Sequence, residues 1–224
     1  MAATPFNLED ALQSIHEKGF YDLNEPLAGD RIAAMERNHF RYFTEYGLDF
    51  CNQFAFDARI RSILEESLER CRLGHWLRYK EYPGHVECFR RGGLEAGRRV
   101  LMVQLWAAGS QLDYYPRSHL HKMDTFRSRR SLNEILPSEL DRVGLKPEPI
   151  DLPVGGLIIA DARLGFEIKE GYAITFLFAT EEVVAKWAKI VLPNSEDLKR
   201  KVADMRRPNI DLNFDFEEPN EIAG

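Results

Sequence analysis

The chain predicts an α+β fold, with N-terminal helices packed on a jelly-roll barrel. Three observations carry that expectation. Residues 8–73 place apolar side chains at helical spacing. Residues 100–119, VLMVQLWAAGSQLDYYPRSH, read as two strands joined at Gly109-Ser110. Val100, Met102 and Gln104 alternate there with Leu101, Val103 and Leu105, so both faces are mostly apolar, as in a strand covered on both sides. Leu152 to Thr180 has the same character, and turns recur at short spacing through the second half.

The 224 residues are long enough for one domain with a sizeable core. Residues 1–75 are the helical part, 76–180 the barrel with an excursion at 120–149, and 181–224 a closing helix and an acidic mobile tail. Most of the formal charge of −6 sits in the last fifteen residues: residues 1–209 carry 30 bases against 31 acids. A near-neutral body gives no footprint for nucleic acid. Cys51, Cys71 and Cys88 are few, odd in number and widely spaced, as expected of reduced thiols. The opening MAATPFNLEDALQSI lacks a basic start followed by an apolar run, and no stretch is long and apolar enough to span a membrane. A cytoplasmic protein is expected.

Asn7 caps a first helix that presents Leu8, Leu12 and Ile15 on one face and ends at Gly19. Phe20–Leu23 is a short extended piece. A second helix is expected over 30–46, with His39 packed in its apolar stripe beside Ile32, Met35, Tyr42 and Phe43. A third covers 57–73, stopped by Gly74. Trp76–Tyr82 alternates as a half-buried strand. A short helix is expected around Leu132–Leu140 in the excursion, then the buried strands LIIAD and YAITFLFAT, a closing helix over 181–191 and another near 196–205.

Three places can carry chemistry. His85-x-Glu87 on a strand projects an imidazole and a carboxylate from one face, two-thirds of a facial iron triad; it reads equally as a solvated strand end. Ser118-His119-x-His121 offers further imidazoles, as ligands or as strand-end caps. Asp161-Ala162-Arg163 either binds an acidic ligand, with Tyr114, or forms an internal salt bridge. No G-x-S-x-G or phosphate loop is present.

The order of these pieces resembles the phytanoyl-CoA dioxygenase-like branch of the iron(II)/2-oxoglutarate oxygenases. Glu17-Lys18-Gly19-Phe20, His85-Val86-Glu87, Val103-Gln104-Leu105-Trp106, Tyr115-Pro116-Arg117-Ser118-His119 and Gly156 to Arg163 are similar, in order, to that family's motifs. The resemblance implies a double-stranded β-helix, a jelly-roll and cupin-like barrel, with a metal held by His85, Glu87 and a third histidine. The chain departs where it matters. Phe166 stands where the resemblance puts the distal iron histidine, Glu87 replaces an aspartate, and EGYAITFLFAT lacks the arginine that grips 2-oxoglutarate.

Two readings follow. In one, the protein has lost the standard site and acts as a non-catalytic subunit, with no cofactor. It binds a small molecule in the barrel cavity or pairs with a catalytic oxygenase-like partner, as a homo- or hetero-dimer, in secondary metabolism. In the other it is an active oxygenase with iron(II) and 2-oxoglutarate, using His119 or His121 as third ligand, or a metal-free isomerase or cyclase.

Overall fold

In the computed structural model, which describes residues 6–217, the chain opens with α1 (Leu8–Glu17). Asn7 caps it by accepting the Glu9 N–H at 2.9 Å. Gly19, at φ +104°, turns the chain into β1 (Phe20–Asp22). Helices α2 (Ala28–Arg37), α3 (Glu45–Ala55) and α4 (Ala58–Leu68) follow. The barrel then begins with β2 (Cys71–Lys80), β3 (Val86–Cys88), β4 (Val100–Trp106) and β5 (Ser110–Tyr115). The excursion holds β6 (Thr125–Arg127), β7 (Asn133–Ile135) and α5 (Pro137–Arg142). The barrel resumes with β8 (Glu148–Leu152), β9 (Gly156–Asp161), β10 (Gly165–Glu170) and β11 (Tyr172–Ala179). Last come α6 (Glu181–Val184), β12 (Ile190–Pro193), α7 (Glu196–Met205), β13 (Ile210–Leu212) and β14 (Phe214–Glu217).

Two six-stranded sheets form among the described residues, in the orders β1-β9-β4-β11-β2-β13 and β6-β7-β3-β10-β5-β8. Strands β2 to β5 and β8 to β11 alternate between the two sheets along the chain and pair antiparallel within them. This is an α+β double-stranded β-helix. Leu101, Val103, Leu105, Ile174, Phe176 and Phe178 pack into the cluster that also holds the helices. Met102, Trp106, Ile158 and Leu177 face the other way, toward Leu112, Tyr114, Phe166 and Ile168 of the second sheet. Each such side chain, when fully buried, stabilises the fold by about 1.5–3 kcal/mol. The strand period of two thus sorts one sheet into a helix-facing side and a barrel-facing side.

Several boundaries differ from the sequence expectation, each for a local reason. The helix expected over 30–46 ends at Arg37, because His39 and Phe40 take positive φ of 55° and 51°. His39 is therefore exposed and not part of the core. A separate α3 follows, capped by Thr44, whose hydroxyl accepts the Gly47 N–H at 3.3 Å. The helix expected to reach residue 73 stops at Leu68, where Glu69 takes φ 59°. Gly74 lies inside β2, and a Cβ there would sit 2.7 Å from Trp187 and Val184. Residues 133–135 are a strand, and Pro137 starts α5 at its first turn. The closing helix stops at Val184 and gives way to β12. Part of the tail expected to be mobile is ordered: β13 pairs parallel with β2, and β14 with β12. The remainder of that tail, 218–224, lies outside the described residues.

Candidate functional site

Strand β3 sets the site. Val86 and Cys88 pack outward against Ile135, Leu140 and Leu145. By strand alternation His85, Glu87 and Phe89 lie on the opposite face, and Phe89 packs on the barrel cluster. Phe166 of β10 is the cross-strand partner of Glu87. It is 1% exposed, and its ring lies 5.9 Å from that of Phe89, nearly parallel.

Glu87 is itself 1% exposed. Ser128 Oγ donates to its Oε1 at 2.5 Å, and Arg130 Nη2 lies 3.0 Å from its Oε2. Burial raises the Glu87 pKa above its ordinary value, opposed by the Ser128 hydrogen bond and the Arg130 charge. One carboxylate oxygen thus accepts a hydrogen bond and the other faces the Arg130 charge as an ion pair. His85 turns elsewhere: its ring stacks on Tyr82 at 3.8 Å, and its Nδ1 lies 2.6 Å from Glu134 Oε1.

The structure does not bring the later histidines to this place. His119 is buried, and its Nε2 donates to the backbone oxygen of His16 at 3.1 Å. That oxygen belongs to the last turn of α1, so the imidazole caps a helix carbonyl. His121 is half-buried in the turn that follows. Among the described residues, no group of three His, Cys, Asp or Glu side chains is arranged to hold a metal ion. A phenylalanine beside a carboxylate already bound by Ser128 and Arg130 does not fit an iron centre. The barrel-facing residues of β11, Ala173, Thr175, Leu177 and Ala179, likewise offer no base for a co-substrate carboxylate.

Asp161 and Arg163 form a closed pair. Arg163 Nε and Nη2 donate to the two Asp161 oxygens at 2.9 and 2.7 Å, and Nη1 donates to Gly93 O at 3.0 Å. Tyr114 is fully buried; its hydroxyl donates to Gln104 Oε1 at 2.6 Å, and its ring stacks on Phe20 at 4.5 Å.

Next to Phe89 lies a cavity of about 420 Å³, lined by His75, Tyr79, Phe89, Arg130, Leu177 and Trp187 among others. His75 Nε2 is 3.0 Å from Tyr79 Oη. Burial holds the His75 pKa below its ordinary value and pushes that of Tyr79 up to about 12. Both groups are therefore neutral at pH 7 and joined by a hydrogen bond. Sequence reading misses His75 because it falls between a helix expected to stop at Gly74 and a strand expected to begin at Trp76, whereas the strand runs Cys71–Lys80. Had β2 been started at Cys71, its alternation would have placed His75, Leu77 and Tyr79 on one face.

No protein-family model and no curated protein matches this sequence. Solved structures do match its fold. The epimerase SnoN in complex with Fe3+, alpha ketoglutarate and nogalamycin RO is 15% identical, with a TM-score of 0.55, over 77% of this chain and 83% of that one. The non-heme alpha ketoglutarate dependent carbocyclase SnoK from nogalamycin biosynthesis is 11% identical, with a TM-score of 0.56, over 80% and 88%. Apo HygX from Streptomyces hygroscopicus is 12% identical, with a TM-score of 0.54, over 92% and 97%. The chain therefore has the fold of non-haem iron/2-oxoglutarate-dependent enzymes. Identity at this level speaks for fold alone.

Proposed function

We propose that this is a non-catalytic, small-molecule-binding member of the phytanoyl-CoA dioxygenase-like branch, with a barrel that has lost the iron and 2-oxoglutarate site. The observation that carries this reading is Phe166, buried against Glu87 and Phe89 where the resemblance calls for the distal histidine. The Glu87–Ser128–Arg130 network supports it, since each group has a structural partner in place of a ligand. The cavity beside Phe89 is the binding place. Its aromatic and aliphatic wall suits a planar, largely apolar molecule, oriented by the polar ends of His75 and Tyr79. In its cellular setting such a subunit would act beside a catalytic oxygenase-like partner, in secondary metabolism.

A second reading has one observation in its favour. The His75–Tyr79 pair joins two groups able to pass a proton inside the cavity, as a metal-free isomerase or cyclase requires.

The binding reading is tested by fluorescence titration with 8-anilinonaphthalene-1-sulfonate. Saturable binding by the wild type, abolished in a folded His75→Trp variant that fills the cavity, is the expected result. Absence of saturable binding, or equal binding by the variant, contradicts it.

A further inference from the structure

A second cavity, of about 260 Å³, is lined by His16, Gly97, Arg98, His119, Leu120 and Arg163 among others. Its charge does not balance. Asp161, 0% exposed, already takes two hydrogen bonds from the Arg163 guanidinium. Arg98 faces the same carboxylate, with Nε 3.7 Å from Asp161 Oδ2, beyond hydrogen-bond length. That Nε is buried and has no hydrogen-bond partner among the described residues. One carboxylate thus serves two guanidiniums. Burial and the charge of Arg163 both press the Arg98 pKa below its ordinary value, against the pull of Asp161.

Arg98 keeps 20% of its side chain exposed, but its buried Nε is a charged donor without a partner among the described residues, which is costly. Arg163 commits Nε, one Nη1 proton and one Nη2 proton to Asp161 and Gly93. A guanidinium has five N–H donors, so one on each terminal nitrogen stays uncommitted. The His119 ring adds no charge of its own: Nε2 is spent on His16, and burial lowers its pKa. What the cavity presents is a fork of donors carrying one positive charge in excess, geometry suited to an oxyanion.

We propose that this cavity binds a small oxyanion, the phosphate or carboxylate group of a ligand, through Arg98 and the uncommitted N–H groups of Arg163. The anion would complete the charge balance that Asp161 leaves open. None of the residues named here lines the cavity beside Phe89, so this proposal stands or falls apart from the reading above.

The test is calorimetric titration of the whole protein with sodium phosphate and with sodium succinate, in buffer balanced with sodium chloride. Saturable binding of one of them is expected, with a Kd of about 0.1–1 mM; the better binder identifies the group. Arg98→Gln is expected to weaken that binding by about tenfold or more, and Arg98→Lys less. Without anion Arg98→Gln should melt at or above the wild-type temperature, because it removes a cation whose buried Nε makes no hydrogen bond among the described residues. Arg99→Gln, which alters an exposed arginine paired with Glu182, should bind as the wild type does. No saturable heat from either anion, or equal affinity in folded Arg98→Gln, overturns the proposal.

Discussion

Two buried acid–arginine pairs differ in how they are built. Asp161–Arg163 is local: one residue separates the partners, the side chains are 1% and 7% exposed, and the guanidinium meets both oxygens. Glu87–Arg130 is long-range: it ties β3 to the turn between β6 and β7, and Arg130 keeps 19% of its side chain in contact with solvent. Ser128 supplies the second contact to Glu87. The local pair holds one corner of the barrel. The distant pair fixes the excursion against the face on which the resemblance expects a metal. A carboxylate held in that second way is a strut between two elements, and its loss would loosen a loop more than a core.

That contrast can be broken by substitution. Asp161→Asn should be the more damaging, because it leaves Arg163 and Arg98 with only a neutral acceptor; a loss of about 3 kcal/mol is expected in urea unfolding. Glu87→Gln keeps an acceptor for Ser128 and leaves Arg130 access to water. Its expected cost is about 1–2 kcal/mol, with faster proteolytic cleavage in residues 120–136. Equal losses in the two variants would contradict the distinction.

A smaller effect sharpens it. Burial holds His75 and His119 below their ordinary 6.5. The fold therefore favours their neutral forms. The stability this contributes is complete above about pH 6.5 and is lost as pH falls through the lower folded values. Melting temperature should drop between pH 7 and pH 5, and His75→Phe should flatten part of that drop. An unchanged slope in His75→Phe would remove His75 from the balance.

Much of the fold was legible because it rests on short-range pattern. The alternation in Val100–Trp106, the turn at Gly109-Ser110 and the Asn7 cap each depend on neighbouring residues, and each holds in the structure. Tertiary contacts decided what was misread. Gly74 looked like a helix stop, but it is where Trp187 and Val184 press against a strand. His39 looked apolar-facing until the positive φ of His39 and Phe40 ended the helix early. At the candidate site the pattern was equally divided. Phe166, the odd residue of its motif, lies across from Glu87, and the Asp161–Arg163 pair was readable as an internal bridge. Ser128, Arg130 and Glu134 were not readable, since nothing local ties the excursion to β3.

The central claim concerns what the barrel face around Phe166 and Glu87 can hold. Anaerobic calorimetric titration with iron(II), with and without 2-oxoglutarate, on the wild type and His85→Ala addresses it directly. No saturable iron heat is expected from either protein under either condition, because Glu87 is held by Ser128 and Arg130 and Phe166 supplies no ligand. Tight wild-type binding that disappears in His85→Ala would contradict that claim and return the barrel to the oxygenases.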